Sequence, residues 1–134
     1  MTLKDALLYI WQLPQNLMGF LLILFYGDCI YSFSEDDVDF YQSDKMPSGI
    51  SLGKYVILRK LEETDVKHEF GHTKQSKIYG WLYLLIIGLP SLLGNIWDQL
   101  AHKKWTWYER EKWYYHRPWE AGADKRGGVK RFEL

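Results

Sequence analysis

The sequence contains a single cysteine, Cys29, among its 134 residues. One cysteine excludes an intramolecular disulfide and any zinc site built from several cysteines, and it leaves the redox compartment of the protein open. The chain also lacks internal repeats and low-complexity tracts. Its length predicts one domain, residues 1–134, with a modest hydrophobic core.

The sequence also lacks a net charge, because 17 basic residues balance 17 acidic ones. No global field therefore attracts nucleic acid. The tail from Ala101 mixes basic and aromatic residues, but Glu109 and Glu111 lie among them and argue against base stacking on a single strand. We expect no nucleic-acid partner and interpret the tail as a membrane-interface belt or a helix-packing surface.

The most informative motif is HExxH, at His68-Glu69-Phe70-Gly71-His72. In a helix, residues i and i+4 share a face, so His68 and His72 can bind one metal ion together. Glu69 projects beside them and can take a proton from a water at the metal. Two imidazoles, a carboxylate base and an open coordination position are typical of a zinc hydrolase. The alternative is a solvated helix with two surface histidines.

The residues around the motif favour a helix. Thr64-Asp65 can cap its start, Val66 and Phe70 form an apolar i,i+4 pair, and Gly80 can end it. The other face is polar and carries His68, His72, Gln75, Ser76 and Tyr79.

A zinc hydrolase needs a third protein ligand, and four candidates follow the motif: His102, Glu109, His116 and Glu120. Glu120 is favoured by its surroundings, since Pro118 suits a helix start and Gly127-Gly128 a helix end, predicting a helix over residues 118–126. Glu120 and Asp124 share a face of that helix. Asp124 could therefore accept a hydrogen bond from the free ring nitrogen of a ligand histidine.

The combination HEFGH followed by Glu120-Ala-Gly-Ala-Asp124 resembles the gluzincin zinc metallopeptidases, whose pattern is HExxH followed by ExxxD. Residues 50–129 also resemble a group of small bacterial HExxH proteins without an established substrate. The resemblance implies a mainly helical, zincin-like α+β fold, with Zn²⁺ bound by His68, His72 and Glu120 and Glu69 as the general base. It assigns no oxyanion-stabilising residue; the candidates without a motif are Tyr79, Tyr114, Tyr115 and His116.

Two long apolar segments complicate the assignment of a location. Residues 6–27 contain no charged residue. A polar cluster around Pro14 interrupts this stretch and predicts two helical pieces in segment 1–27. We expect these helices either to lie in a membrane surface or to pack as core helices of the domain. Residues 78–97 are also uncharged, and residues 88–91 (Gly-Leu-Pro-Ser) predict a broken helix or a hairpin. A single crossing there would put Glu120 and the two histidines on opposite sides of a membrane.

Between these segments the sequence predicts a small β-hairpin or sheet before the HExxH helix. Residues 28–49 are acidic and predict a loop with one strand at 38–41. Residues 50–59 are rich in β-forming side chains and predict a strand. Such a strand beside the metal could bind the backbone of a substrate.

The sequence thus predicts a zinc metallopeptidase that hydrolyses a peptide or protein substrate at a membrane surface, with peripheral or re-entrant association. A cytoplasmic location is the alternative. The alternative function is a non-catalytic membrane-associated or partner-binding protein with a structural or vestigial metal site. The complete motif, including Glu69, favours the enzyme, because a structural site has no use for the base and prefers four protein ligands.

Overall fold

The structure, a computed structural model, describes residues 2–26 and 31–131. It is α+β and 64% helical, with a small four-stranded mixed sheet before the HExxH helix. The predicted fold class is thereby confirmed, while the finer zincin-like assignment stays a prediction. Gly27 and Cys29 lie outside the described residues.

Six α-helices and four strands make up the described residues. The helices are α1 (Leu3–Trp11), α2 (Leu13–Tyr26), α3 (Glu63–Tyr79), α4 (Leu89–Ala101), α5 (Trp107–Tyr115) and α6 (Pro118–Gly127). The strands are β1 (Tyr31–Glu35), β2 (Val38–Gln42), β3 (Ile50–Leu52) and β4 (Tyr55–Leu58). A 3₁₀ turn (Gly80–Leu82) and a π-helical segment (Leu84–Gly88) connect α3 to α4.

The N-terminal apolar segment forms two helices, α1 and α2, bent by 89° at their junction. The polar cluster that interrupts the apolar sequence is buried and attaches α2 to the rest of the fold. Gln15 Nε2 donates to Ser76 Oγ at 2.9 Å and to the Gly80 carbonyl at 2.8 Å. Asn16 Oδ1 accepts from the backbone N–H of Lys54 at 2.7 Å. These bonds explain why polar residues occur in the middle of an apolar stretch.

The sheet has the order β1-β2-β4-β3, with β2 and β4 parallel and the outer pairs antiparallel. The prediction of one strand over residues 50–59 is wrong, because Gly53, with φ of 64°, turns the chain into the β3–β4 hairpin. The strand predicted at 38–41 is β2. Its partner β1 was not predicted, since the acidic Asp36-Asp37 turn between them is typical of a loop.

The hydrophobic core lies between the sheet and α3. Val38, Phe40, Val56 and Leu58 are buried together, and Phe70 of α3 packs on this cluster from outside the sheet. Phe70 is the third residue of the HExxH motif. The packing of the core therefore fixes the rotation of α3 and turns His68 and His72 away from the sheet cluster.

Helix α3 begins at Glu63 rather than at a cap formed by Thr64-Asp65. Glu62 is its N-cap and makes no side-chain capping bond, so the predicted cap is wrong. Glu63 and Asp65 instead lie in the first turn, where negatively charged side chains interact favourably with the positive end of the helix dipole. The helix ends at Gly80, as predicted, with φ of 55°. A Cβ at Gly80 would lie 2.2 Å from the Trp11 ring, so both the conformation and the space require glycine.

The second apolar segment does not form a hairpin at residues 88–91. Leu84–Ala101 is one continuous helix that changes from π to α geometry at Gly88, just before Pro90. The wider π-helical turn accommodates the proline within the helix. This helix is long and apolar enough to cross a membrane, but only 17% of it is buried. Length and composition leave a soluble location equally open.

Candidate metal centre

Helices α3 and α6 meet backbone to backbone. A Cβ at Gly71 would lie 1.8 Å from the carbonyl oxygen of Ala123, and one at Gly127 would lie 1.9 Å from that of Lys67. Only glycine fits at either position without moving the facing helix. This close approach brings the HExxH face of α3 against Glu120 and Asp124 of α6.

Three buried side chains converge between the two helices: His68, His72 and Glu120. Glu120 Oε2 lies 2.9 Å from His68 Nε2 and 3.2 Å from His72 Nε2. One donor atom from each residue lies within 4.8 Å of the others. Zinc at about 2.0–2.1 Å from each ligand needs donor atoms roughly 3.3 Å apart in tetrahedral geometry. The spacing and the N,N,O donor set fit a divalent metal ion such as zinc.

Each histidine is oriented through its other ring nitrogen. His68 Nδ1 donates to Asp124 Oδ1 at 2.7 Å, and His72 Nδ1 donates to Gln75 Oε1 at 2.7 Å. Gln75 is held in turn by its Nε2, which donates to the carbonyl of Trp119 at 3.0 Å. Both Nε2 atoms are thereby directed at Glu120, and the ring orientations are set before any ion binds.

The carboxylate of Glu120 is fully buried and is held at both oxygens. Oε2 faces the two histidines, while Oε1 accepts hydrogen bonds from Ser91 Oγ and, at 3.2 Å, from the Tyr114 hydroxyl. Burial raises the pKa of Glu120, but hydrogen bonds from His68 and His72 outweigh it and hold the pKa well below its usual range. The carboxylate is therefore ionised, as a metal ligand must be.

The same interactions favour the protonated form of His68. Burial lowers its pKa, whereas the hydrogen bonds to Asp124 and Glu120 raise it, to about 10 in balance. A divalent cation between the three donor atoms would replace that proton and satisfy the same carboxylates. The concentration of negative charge around the imidazole suits a bound cation.

Glu69, the predicted base, lies buried on the sheet side of α3. Its Oε1 would be 3.1 Å from a Cβ at Gly49, directly before β3. Burial raises the pKa of Glu69, against the opposite effect of His72 and His68. A carboxylate with a raised pKa accepts a proton more readily than an ordinary surface carboxylate does.

The four candidates for oxyanion stabilisation separate into two groups. Tyr114 contacts the ligand Glu120, and the Tyr115 ring packs edge-on against His68 at 5.3 Å. Tyr79 is the last residue of α3, about 10 Å along the helix from His72. His116 is exposed and donates from Nδ1 to the Lys112 carbonyl at 2.5 Å. The structure brings only the first pair to the ligands.

The other candidates for the third ligand lie elsewhere. His102 is buried at the end of α4, where Nδ1 donates to Asp98 at 2.8 Å and the ring stacks on Trp105. Glu109 is exposed in the first turn of α5, where its side chain accepts from Thr106 Oγ1 at 3.0 Å.

Three residues at the site were not predicted from sequence in the roles they have. Ser91 and Tyr83 belong to the apolar segment, where hydropathy suggests a membrane helix rather than a site. Tyr83 is buried and donates to the Ser51 carbonyl of β3 at 3.2 Å. The contact between Gln75 and His72 could have been predicted from sequence, because Gln75 follows His72 by three residues and lies on the same face of the helix.

The chain matches no protein-family model, no curated protein and no solved structure.

Proposed function

We propose that the protein is a zinc metallopeptidase of the gluzincin type, with zinc bound by His68, His72 and Glu120. The observation that carries the proposal is the convergence of three buried ligand atoms, from His68, His72 and Glu120, beside a second buried glutamate, Glu69. Three protein ligands leave a coordination position for water, as catalytic zinc sites do. A site with only a structural purpose has no need of Glu69.

The chemistry divides among the residues as follows. Zinc, when bound, acts as a Lewis acid toward the scissile carbonyl and lowers the pKa of its water. Glu69 takes the proton of the attacking water and delivers it to the leaving amine, a transfer that its raised pKa favours. Asp124 and Gln75 keep the histidine rings oriented. Ser91 and Tyr114 keep Glu120 in place through its second oxygen.

The proposed location is a membrane surface, where the protein acts on a peptide or protein substrate. The support is the apolar character of α1, α2 and the helix Leu84–Ala101, most of whose large side chains are exposed. A cytoplasmic location is the alternative.

The burial of the ligands favours one further candidate function. His68 and His72 are each 5% exposed, and Glu120 is 0% exposed. The Tyr83 hydroxyl donates a hydrogen bond to the Ser51 carbonyl of β3, the edge strand to which a substrate backbone could bind. A non-catalytic, membrane-associated protein that uses the metal to clamp α3 to α6 would have these properties.

Zinc content and hydrolysis, measured together, separate the two functions. Purified protein is analysed for zinc per chain and incubated with a mixture of unstructured peptides whose cleavage is followed by mass spectrometry. For the enzyme we expect one zinc per chain and cleavage, and a Glu69→Gln variant that keeps zinc but loses cleavage.

The matched control is Glu63→Gln, an exposed glutamate in the first turn of the same helix, which should retain both zinc and cleavage. Zinc without cleavage in the wild-type protein would support the clamp. A wild-type protein that binds no zinc would contradict both functions.

A further inference from the structure

The helix Leu84–Ala101 has two chemically different sides. Its polar side faces the protein: Ser91 bonds the ligand Glu120, and Asp98 forms an ion pair with Arg110 of α5 at 2.8 Å. Its other side is apolar and exposed. The side chains on this side follow one another at spacings of three and four residues and form one stripe along the helix: Leu85, Leu89, Leu92, Leu93, Ile96, Trp97 and Leu100. One side of this helix thus supports the metal centre, and the other carries no charge.

The N-terminal helices are attached to the start of the second apolar segment. Trp11 Nε1 donates to the Lys77 carbonyl and Trp81 Nε1 to the Ile10 carbonyl, both at 2.8 Å. These two indoles join the beginning of the second apolar segment to α1. Of the 25 large apolar side chains exposed in the described residues, 21 lie within residues 3–25 and 78–100. We call these 21 side chains the apolar band.

The size and composition of the apolar band favour lipid over a protein partner. The band contains 21 side chains, about as many residues as one partner contributes to a typical protein interface, roughly 20–30. Such an interface is only about 56–65% apolar and has a polar rim, whereas residues 6–26 and 78–97, which carry nearly all of the band, contain no charged residue. Acyl chains need no polar complement.

We infer that the apolar band lies on a lipid bilayer with the helix Leu84–Ala101 parallel to the membrane plane. Ser91 fixes this orientation, because it lies about 10 Å from Leu84 and about 15 Å from Ala101 along the helix. In a crossing orientation Ser91 and the metal centre would be near the middle of a hydrocarbon layer roughly 30 Å thick. Helices α3 and α6 would then enter the hydrocarbon with their exposed lysines, Lys67, Lys74 and Lys125.

In the parallel orientation the charges lie where lipid headgroups and water can reach them. Lys77 precedes the second apolar segment, and Lys103 and Lys104 follow it, next to the exposed indoles of Trp105 and Trp107. Lysine and tryptophan at both ends of an apolar helix are typical of anchoring at the headgroup level. The metal centre, on the opposite side of the helix, is then about one helix diameter, 10 Å, from the lipid.

Spin labels along the stripe test the orientation directly. In a Cys29→Ser background, Leu85, Leu92 and Leu100 are each replaced by cysteine, labelled with a nitroxide and bound to vesicles of phosphatidylcholine with phosphatidylglycerol. Depth is measured from the accessibility of the label to oxygen and to a water-soluble nickel complex. We expect all three labels at one shallow depth, while a control label at the exposed Lys125 of α6 stays in water.

Depths that change steadily from Leu85 to Leu100 would mean a crossing helix and overturn the inference. Labels that remain in water in the presence of vesicles would also overturn it and would assign the apolar band to a protein partner. A Leu92→Glu variant provides a second measurement: its partitioning to the same vesicles should fall about tenfold or more, because a buried leucine is replaced by a charge.

Circular dichroism and thermal unfolding are measured for every labelled or substituted protein, which shows that the fold is intact whether or not zinc binds. If Leu92→Glu does not fold, Leu100→Glu at the end of the helix replaces it. Peptide cleavage does not enter these measurements. A failure of the proposed enzyme and a failure of the lipid orientation are therefore observed separately.

Discussion

The part of the chain that the structure describes contains two buried histidine–aspartate pairs with nearly the same local geometry. His68 Nδ1 donates to Asp124 at 2.7 Å, and His102 Nδ1 donates to Asp98 at 2.8 Å. Each aspartate uses its second oxygen to accept from an arginine at 2.8 Å, Arg131 in the first pair and Arg110 in the second. The ring of each histidine also contacts aromatic side chains.

The two pairs differ in what surrounds the rest of the imidazole. His68 Nε2 faces the buried carboxylate of Glu120, with His72 beside it. His102 is stacked on the Trp105 ring at 3.6 Å and flanked by Trp113. A carboxylate that orients a histidine therefore does not make a metal site. A metal site also needs further ligand atoms that converge on the second nitrogen, as they do at His68, and this difference can be tested by changing one pair at a time.

The largest expected effect is the loss of zinc on replacing a ligand. His68→Ala, His72→Ala and Glu120→Ala should each reduce zinc to a trace, because two remaining protein ligands do not hold the ion firmly. His102→Ala removes an equally buried histidine and should keep one zinc per chain, with a lower melting temperature from the lost ring packing. Zinc per chain and thermal unfolding are measured for all four variants.

Loss of zinc from His102→Ala with retention in Glu120→Ala would contradict the assignment of the third ligand. Global unfolding is recognised by circular dichroism, so a variant that loses zinc and keeps its helix content identifies a ligand.

The second prediction concerns the helix contact that assembles the site. Gly71→Ala should destabilise the protein by about 1–3 kcal/mol or more and weaken zinc binding, because the new methyl group meets the Ala123 carbonyl and separates α3 from α6. Gly94→Ala in α4 is the control. A Cβ there lies 3.7 Å from the Trp119 ring, an ordinary contact, and alanine favours a helix. Denaturant unfolding measures both variants; equal stabilities would show that the backbone contact is not required.

The third prediction compares the two aspartates. Asp124→Asn should lower zinc affinity about 10–100-fold, because a neutral amide oxygen accepts from His68 Nδ1 more weakly than a carboxylate and orients the ring less firmly. Asp98→Asn weakens the corresponding bonds from His102 and Arg110 and should leave zinc affinity unchanged while lowering stability. Competition with a chromophoric chelator measures the affinity. If both variants bind zinc like the wild type, the orientation of His68 does not depend on Asp124.

The parts of the fold that were predictable from sequence are those set by local spacing. The i,i+4 relation of His68 and His72, the end of α3 at Gly80 and the helix that begins at Pro118 each follow from a few neighbouring residues. The pairing of Glu120 with Asp124 on one face follows from the same rule. The structure brings the side chains of His68, His72, Glu120 and Asp124 together.

The parts that were not predictable depend on residues far apart in sequence. Gly53 could have signalled a hairpin, but the β-forming residues on both sides of it favoured one long strand. Ser91 and Tyr83 lie in a segment whose hydropathy indicates a membrane helix, and their roles depend on tertiary contacts with Glu120 and Ser51. The single helix from Leu84 to Ala101 depends on a π-helical turn that accommodates Pro90.

The smallest expected effect is that of the Tyr114 hydroxyl, which contacts Glu120 Oε1 at 3.2 Å. In Tyr114→Phe we expect zinc affinity to fall by about 10-fold, the lower end for a hydrogen bond to a charged group (roughly 1.5–3 kcal/mol), since the contact is long and Ser91 still bonds the same oxygen. The measurement also separates two roles. If the hydroxyl only supports the ligand, peptide cleavage at saturating zinc stays near the wild-type rate. If it stabilises the oxyanion, cleavage falls about 100-fold or more while zinc binding barely changes. Tyr115→Phe is the matched control, because it removes the hydroxyl of the neighbouring tyrosine and keeps the ring that contacts His68 and Arg131. A large loss of zinc in Tyr114→Phe would contradict both roles and would mean that the hydroxyl, rather than Ser91, positions the carboxylate.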